Sequence, residues 1–532
     1  MIRPLPIVTL LLALLVMLPV LIILVSVFSG QLDLWQHLAD TVLVGYLSNS
    51  IGLVVGVGVG VLIIGVPTAW LTVACEFPGR RILTWALLLP LAMPAYIIAY
   101  TYTGIFDFAG PVQSFIRELT GWGYGEYWFF NIRSLLGAAV MLTLVLYPYV
   151  YLLARAAFLE QSPSVLEAAR IMGYSSRKAF VCLALPMARP AIIAGLTLAL
   201  METLADYGTV QYFGVSTFTT GIFRAFYGFG DVAAASQLAA ILLTFVILLI
   251  TLERYSRKRA RYHSVKGRSI QRLALNGGKG WAACIVCVLP LLLGFLIPAL
   301  QLLYWSVTEA VVDDTFFILA WNSFYLALLA ACIAVVLALL LAYAKRLYFR
   351  HKAVNAAVSM AAMGYALPGT IVAIGVIVPL AWLDHSLIDW FERSLGVEMG
   401  LLFSGTLIAL LFAYTVRFLA VSLGAIESGL SKVKNNVDNV ARLLGCTPLQ
   451  VLRRVHLPLL KGSVLTAFLI VFVDVLKELP ATLILRPFNF NTLAVRAYEL
   501  ASDERLIDAA PASLLIVPVS YTHLTLPTTP YV

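Results

Sequence analysis

The chain has 532 residues, of which 61% are hydrophobic and only 12% charged, with a formal net charge of +9. No soluble core needs that much apolar surface, so the composition excludes a soluble enzyme and points to an integral membrane protein. The long unbroken apolar runs exclude the alternation of a β-barrel, and each helical span needs about 20 mostly apolar residues.

Twelve spans are predicted in chain order. The first six lie near 5–28, 49–74, 82–104, 135–158, 189–205 and 233–252. The second six lie near 281–305, 321–344, 354–380, 401–424, 462–479 and 505–524. The first run is too long for a signal peptide and lacks a small-residue cleavage site, so a retained helix is expected. The run Gly52, Gly56, Gly58, Gly60 falls inside a span and reads as close helix packing rather than a nucleotide fingerprint.

The basic residues set the orientation. With the N-terminus in the cytoplasm, segments 1–4, 75–81, 159–189, 253–280, 345–352 and 425–461 are internal and hold 26 of the 36 Lys and Arg. Acid collects in the external loops, at Asp33, Asp40, Asp107, Glu118, Glu309, Asp313, Asp314, Asp384, Asp389 and Glu392. The net charge is therefore a topology signal, and no basic soluble domain is left to bind nucleic acid. The six cysteines give no disulfide framework, and the C-x-x-C at Cys284 and Cys287 lies inside an apolar run, as buried thiols do. His37 and His385 have no ligand-like spacing, and no tightly bound metal is expected.

The two halves repeat each other. Residues 167–186 read EAARIMGYSSRKAFVCLALP and residues 439–458 read NVARLLGCTPLQVLRRVHLP. Gly173 and Gly445 are 272 positions apart, as are Pro186 and Pro458. Asn49-Ser50 pairs with Asn322-Ser323, and Met93-Pro94 with Leu367-Pro368. Two six-span halves must share one orientation, so the fold expected is all-α, two parallel repeats about an axis along the membrane normal. Repeat one covers 1–252 with a polar loop at 159–188, and a basic cytoplasmic linker occupies 253–280. Repeat two covers 281–518 with its loop at 427–460. Residues 519–532 (VSYTHLTLPTTPYV, from Val519) are rich in hydroxyls and proline, cannot complete a span, and read as a foreign or frame-shifted tail.

Each polar loop reads as a helix–turn–helix on the inner face. Gly173 and Gly445 stop the first helix. Ser175 and Thr447 cap the second, which is expected to end before the proline, and Gln450 completes a capping box with Thr447. Small Ala168, Ala169 and Ala441 would let another surface approach, with Arg170, Lys178, Arg442 and Arg453 supplying charge. A plain amphipathic surface helix is the bland alternative. In the fifth span, Glu202 and Asp206 lie four apart on one face, and the offset maps them onto Asp474 and Glu478. Four carboxylates should converge about the axis. Carboxylates near the membrane interior mark pathways, and as hard oxygen donors they suit a hard cation such as Fe3+ in transit. Alternatively they sit at the outer interface, with Lys477 pairing Asp474 or Glu478.

At the Glu167-Ala168-Ala169, Gly173, Leu185-Pro186 pattern the chain resembles the permeases of binding-protein-dependent ABC importers, over nearly its whole length. The second copy has Asn439-Val440-Ala441 in place of Glu-Ala-Ala. The resemblance implies loops that dock on a separate ATP-hydrolysing subunit, expected as a homodimer, and a periplasmic or lipid-anchored substrate-binding protein on the other side. It implies a multi-pass protein of the bacterial inner membrane surrounded by lipid. The strings ADYGTVQYFGVSTFTTGIFRAF (205–226) and DVLKELPATLILRPFNFNTLAVRAYE (474–499) are similar to the ferric iron group. Fused permeases for thiamine, polyamine or phosphonate are alternatives, and an ion-driven secondary transporter is one of another class. No G-x-x-x-x-G-K-[ST] occurs, so the chain is expected to be no enzyme and to bind no cofactor, with ATP consumed by its partner. Arg224 and Arg496, at equivalent outer positions, either contact the delivery protein or brace their loops.

Overall fold

The computed structural model describes residues 5–26, 32–123, 125–161, 173–258, 272–311, 313–364, 367–397 and 400–525. Among these, nine helices are long and apolar enough to cross a membrane, and up to eleven if two bent pairs each count as one span. Leu506–Val517 adds a shorter apolar helix, so each of the twelve expected spans has a helical counterpart. In the first repeat they are α1 (Leu5–Ser26), α2 (Trp35–Ala74), the bent pair α3 (Arg80–Ala92) and α4 (Ala95–Thr120), α5 (Leu135–Glu160), α6 (Phe180–Ala205) and α7 (Val232–Ser256). In the second they are α8 (Gly278–Thr308), α9 (Thr315–Leu347), α10 (Lys352–Ala361), α11 (Gly369–Leu395) and α12 (Leu407–Lys432). After these come α13 (Asn435–Leu443), α14 (Pro448–Leu459), α15 (Lys461–Leu476) and α16 (Leu506–Thr525).

The repeats are not two separate bodies. One apolar core joins α2–α6 with α8 and α16, and the other joins α9–α12 and α15 with α1 and α7. The first and last spans of each repeat thus pack on the opposite repeat: α1 lies against α10 and α11, α7 against α11, α8 against α2 and α4, and α16 against α3 and α4. Lipid tails are as apolar as leucine, so close packing rather than water exclusion selects these contacts. The glycine run supplies some of it. A Cβ on Gly56 would lie 3.2 Å from Ala139 Cβ, and one on Gly60 would lie 2.5 Å from the Thr143 hydroxyl.

Residues expected to form single spans at 82–104 and 354–380 are broken in both repeats. The chain turns by 92° at Met93-Pro94 between α3 and α4. Pro94 (φ −59°, ψ 140°) and Pro368 (φ −52°, ψ 139°) are extended and open α4 and α11. Proline lacks an N–H and disfavours helix at the residue before it. Such a break is tolerated at membrane depth only inside protein or beside a cavity, and Met93 and Leu367 are buried.

Two further expectations change, at Asp384 and at the C-terminal helix. Asp384, read as a loop acid, is fully buried in α11, where it accepts bonds from the backbone N–H groups of Leu402, Phe403 and Ser404 at 2.6–3.2 Å. Within the linker, Leu273–Ala274 (β2) pairs in parallel with Cys75–Glu76 (β1), and Arg272 lies 3.8 Å from Glu76. The backbone of α16 stays helical to Thr525, through the hydroxyl-rich stretch expected to break it, while Pro527 and Pro530 lie outside the described residues.

Candidate functional site: a two-fold cavity and two polar segments

A cavity of about 130 Å³ opens beside the break between α3 and α4. Two thirds of its lining comes in pairs 272 positions apart: Val145 and Arg417, Leu146 and Phe418, Glu202 and Asp474, Ala205 and Lys477. The series goes on with Asp206 and Glu478, Tyr207 and Leu479, Gly208 and Pro480. Equivalent residues of both repeats can meet in one place only near the axis that relates them. All four sequence-flagged carboxylates are therefore on one wall system.

They do not sit as a helical face. α6 ends at Ala205, and Asp206 is extended (φ −67°, ψ 132°). Its carboxylate accepts from the Val210 N–H at 3.1 Å and the Thr209 hydroxyl at 3.0 Å, holding the short helix that follows. Glu478 does the same after α15, accepting from the Ala481 N–H at 3.0 Å. The shared device is a carboxylate that ends one helix and caps the next.

The charges around these acids differ. Glu478 Oε2 lies 2.5 Å from Arg417 Nη1, and both side chains are under a tenth exposed. Asp474 Oδ1 lies 2.9 Å from Lys477 Nζ. At the positions of those two cations the first repeat has Val145 and Ala205. Four carboxylates against two cations leave the lining formally two charges negative. The Arg417–Glu478 pair also needs Gly369 beneath it, where a Cβ would lie 2.5 Å from Arg417 Nη1 and from Glu478 Oε1. Tyr96, at 5% exposure, brings to the same lining a hydroxyl without a partner among the described residues. Among the described residues, no three His, Cys, Asp or Glu side chains are grouped to hold a metal ion.

Arg417, Gly369 and Tyr96 were missed from sequence. Arg417 had a readable signal, a lone cation inside the apolar α12. Gly369 and Tyr96 had none, because their importance lies in what stands opposite.

Of the polar segments, Glu167, Ala168, Ala169 and Arg170 lie outside the described residues. Gly173 has φ +77° and Gly445 has φ +82°, the left-handed turn expected of a helix-ending glycine. In the second copy, Cys446 N–H donates to Ala441 O and Gly445 N–H to Arg442 O, both at 3.0 Å, a Schellman ending. The Thr447–Gln450 capping box forms as expected. Ala441 faces inward at 7% exposure, so it leaves no gap for a partner. The open surface carries Asn439, Val440, Arg442, Leu443 and Leu444 instead, with Leu443 87% exposed.

Neither second helix stops at its proline. A π-turn at Phe180–Ala184 precedes Leu185-Pro186, and another at Leu452–His456 precedes Leu457-Pro458. The wider turn accommodates the proline ring and its missing N–H. In the first copy the helix then runs unbroken into α6, whereas α14 and α15 meet at 78°. Of the two equivalent arginines, Arg496 is paired with Asp313 at 3.1 Å, and Arg224 is exposed.

Broken spans, small-residue packing and a charged cavity on a pseudo-two-fold axis define a duplicated membrane permease. The chain belongs to the family of binding-protein-dependent transport system inner membrane components, whose pattern it matches twice, at 61–262 and 334–520. It is 26% identical over 479 residues to the Fe(3+)-transport system permease protein FbpB 2 of Haemophilus influenzae, covering 88% of this chain and 87% of that one. The ferric transport system permease protein FbpB of Actinobacillus pleuropneumoniae is 24% identical over 506 residues, covering 89% of this chain and 69% of that one. The molybdenum transport system permease protein ModB of Escherichia coli is 30% identical over 207 residues, 37% of this chain but 87% of that relative.

Proposed function

We propose that this chain is the membrane permease of an ATP-driven importer of ferric iron, receiving the ion from a binding protein and releasing it into the cytoplasm. The cavity carries the reading. It stands where the two repeats meet, its acids are hard oxygen donors, and its net negative lining favours a cation. Relatives that match across both repeats are ferric permeases by name, whereas the molybdenum permease matches little over a third of this chain.

Glu202 and Asp206, with no cation at the matching positions of their own repeat, guide the ion, while Asp474 and Glu478 are held by Lys477 and Arg417. Passage is transient, since strong ligation would prevent release. The energy comes from a separate ATPase pair docked on the polar segments, where the exposed Val440, Leu443, Leu444 and Leu449 form an apolar face beside Arg442. ATP closes the pair, the segments follow, and the cavity changes sides. Orientation with the N-terminus inside rests on the distribution of Lys and Arg. Arg224, exposed as it is, is the better placed of the two arginines to meet a delivery protein.

Labelled ferric iron uptake into a strain lacking this gene tests the substrate. Restored uptake on complementation, abolished when ATP is depleted, is expected. Unchanged uptake in the deletion strain refutes iron, and uptake that ignores ATP refutes the importer.

A further inference from the structure

The end of α9 holds the second polar segment through one arginine. Arg346 is 13% exposed, and its guanidinium spends its donors on three elements. Nε donates to Asp438 Oδ2 at 2.8 Å, in the first turn of α13. Nη1 donates to Leu430 O at 2.7 Å, near the end of α12, and Nη2 to Val433 O at 2.9 Å in the link between α12 and α13. The carbonyls at a helix C-terminus carry partial negative charge that a cation satisfies. The other carboxylate oxygen, Asp438 Oδ1, lies 2.6 Å from His456 Nε2, and His456 is fully buried in α14. One turn earlier on α9, the Tyr343 hydroxyl donates to Pro448 O at 2.6 Å, and its ring lies 5.6 Å from that of His456. Both helices of the segment are thus tied to a single span.

The first repeat has none of these side chains. The Asn-Ser pairs within α2 and α9 set an offset of 273, which puts Val73 at the place of Arg346 and Trp70 at that of Tyr343. The offset of 272 puts Leu166 at the place of Asp438 and Ala184 at that of His456. At Ala184 the described bond is from the Gln161 side chain, which donates to the Ala184 carbonyl at 2.9 Å.

We propose that Arg346, acting through Asp438 and His456, is the positioning residue that makes the second polar segment and span α9 move as one body, so that force from the ATPase enters the permease chiefly through the second repeat. The inference rests on the importer reading. It explains how a copy lacking the Glu-Ala-Ala acid can still be coupled: the acid that matters is Asp438, one position earlier, and it faces the permease rather than the partner. The bonds of Arg346 and Asp438 are charge-assisted and little exposed, the kind of link that shifts between arrangements as a unit.

The test uses the full complex of permease, ATPase and binding protein in proteoliposomes, with ferric iron supplied, and reads ATP hydrolysed per ion imported. Arg346→Val and Asp438→Leu install the first repeat's residues. Each is expected to keep the ATPase bound and hydrolysing while uptake falls, raising the ratio about tenfold, and Arg346→Lys, which keeps the charge but not the fork, should raise it about threefold. A wild-type ratio in any variant that assembles overturns the proposal. So does failure of all three variants to accumulate, which would make the network a folding device only. If wild-type complex imports without hydrolysis, or the ATPase never associates, the importer reading fails instead.

Discussion

Val145 and Arg417 line the same cavity at equivalent positions of the two repeats, as do Ala205 and Lys477. The first repeat presents Glu202 and Asp206 without matching cations, whereas the second presents each acid already paired. The polar segments diverge in the same direction: Val73, Leu166 and Ala184 in one, and Arg346, Asp438 and His456 in the other. Duplication has kept the backbone devices, the proline breaks, the π-turns and the left-handed glycines. It has redistributed the charge. One repeat is built to offer negative charge, the other to hold itself together while force passes through it.

The largest test of that contrast is at the capping acids. Glu478→Ala leaves Arg417 buried without its carboxylate and should cost about 3–5 kcal/mol. Asp206→Ala loses a cap and strands no cation, costing about 1 kcal/mol. Thermal unfolding of the purified protein in detergent measures both, and equal losses would erase the distinction. Next comes Gly369→Ala, which drives a methyl into the Arg417–Glu478 pair for about 1–3 kcal/mol. Its counterpart after the first break is Ala95, where the methyl already exists, and Ala95→Gly should stay below about 1 kcal/mol.

At the helix-ending glycines, Gly173→Val and Gly445→Val each force a side chain into a left-handed turn at about 1–2 kcal/mol. Transport assays should show the greater loss for Gly445→Val, because the clamped segment turns there. Equal loss would argue that both segments couple alike. The smallest effect lies at the outer arginines. The Thr315 hydroxyl, bonding Asp313 at 2.6 Å, and the Arg496 guanidinium hold the Asp313 carboxyl below the usual aspartate range. A carboxyl lowered on folding contributes stability above its unfolded value, and that contribution is lost as pH falls through the lowered one. Hydrogen-exchange protection of the loop around Asp313, taken relative to the intrinsic exchange rate at each pH, should therefore fall slightly in acid, and Asp313→Asn should remove the response. A flat profile in the unmutated protein would mean the Arg496 brace contributes nothing.

Much of this was legible beforehand because it is written in local pattern. Apolar runs gave the spans, and the fixed offset gave the four acids and both segments. Glycine and Thr-Pro grammar gave the turns and the capping box, since such signals act over a few residues. The misses share a cause. The helices were expected to stop at Pro186 and Pro458, and spans three and nine to be continuous, because whether a proline ends or only bends a helix depends on what surrounds the freed carbonyl. Ala441 was placed on the open face by its size alone, and helix packing turned it inward.

By itself the sequence determined that this is a membrane protein of two like repeats, with acids at matched positions, because composition and periodicity answer directly to the solvent. Only the tertiary structure decided which repeat each span belongs to in space. Inside a bilayer every apolar helix face is equally soluble, so the fit of glycine against side chain selects the partner. That fit sent α1, α7, α8 and α16 across to the other half, and it set Arg417 on Glu478 and Arg346 on Asp438, pairs 61 and 92 residues apart.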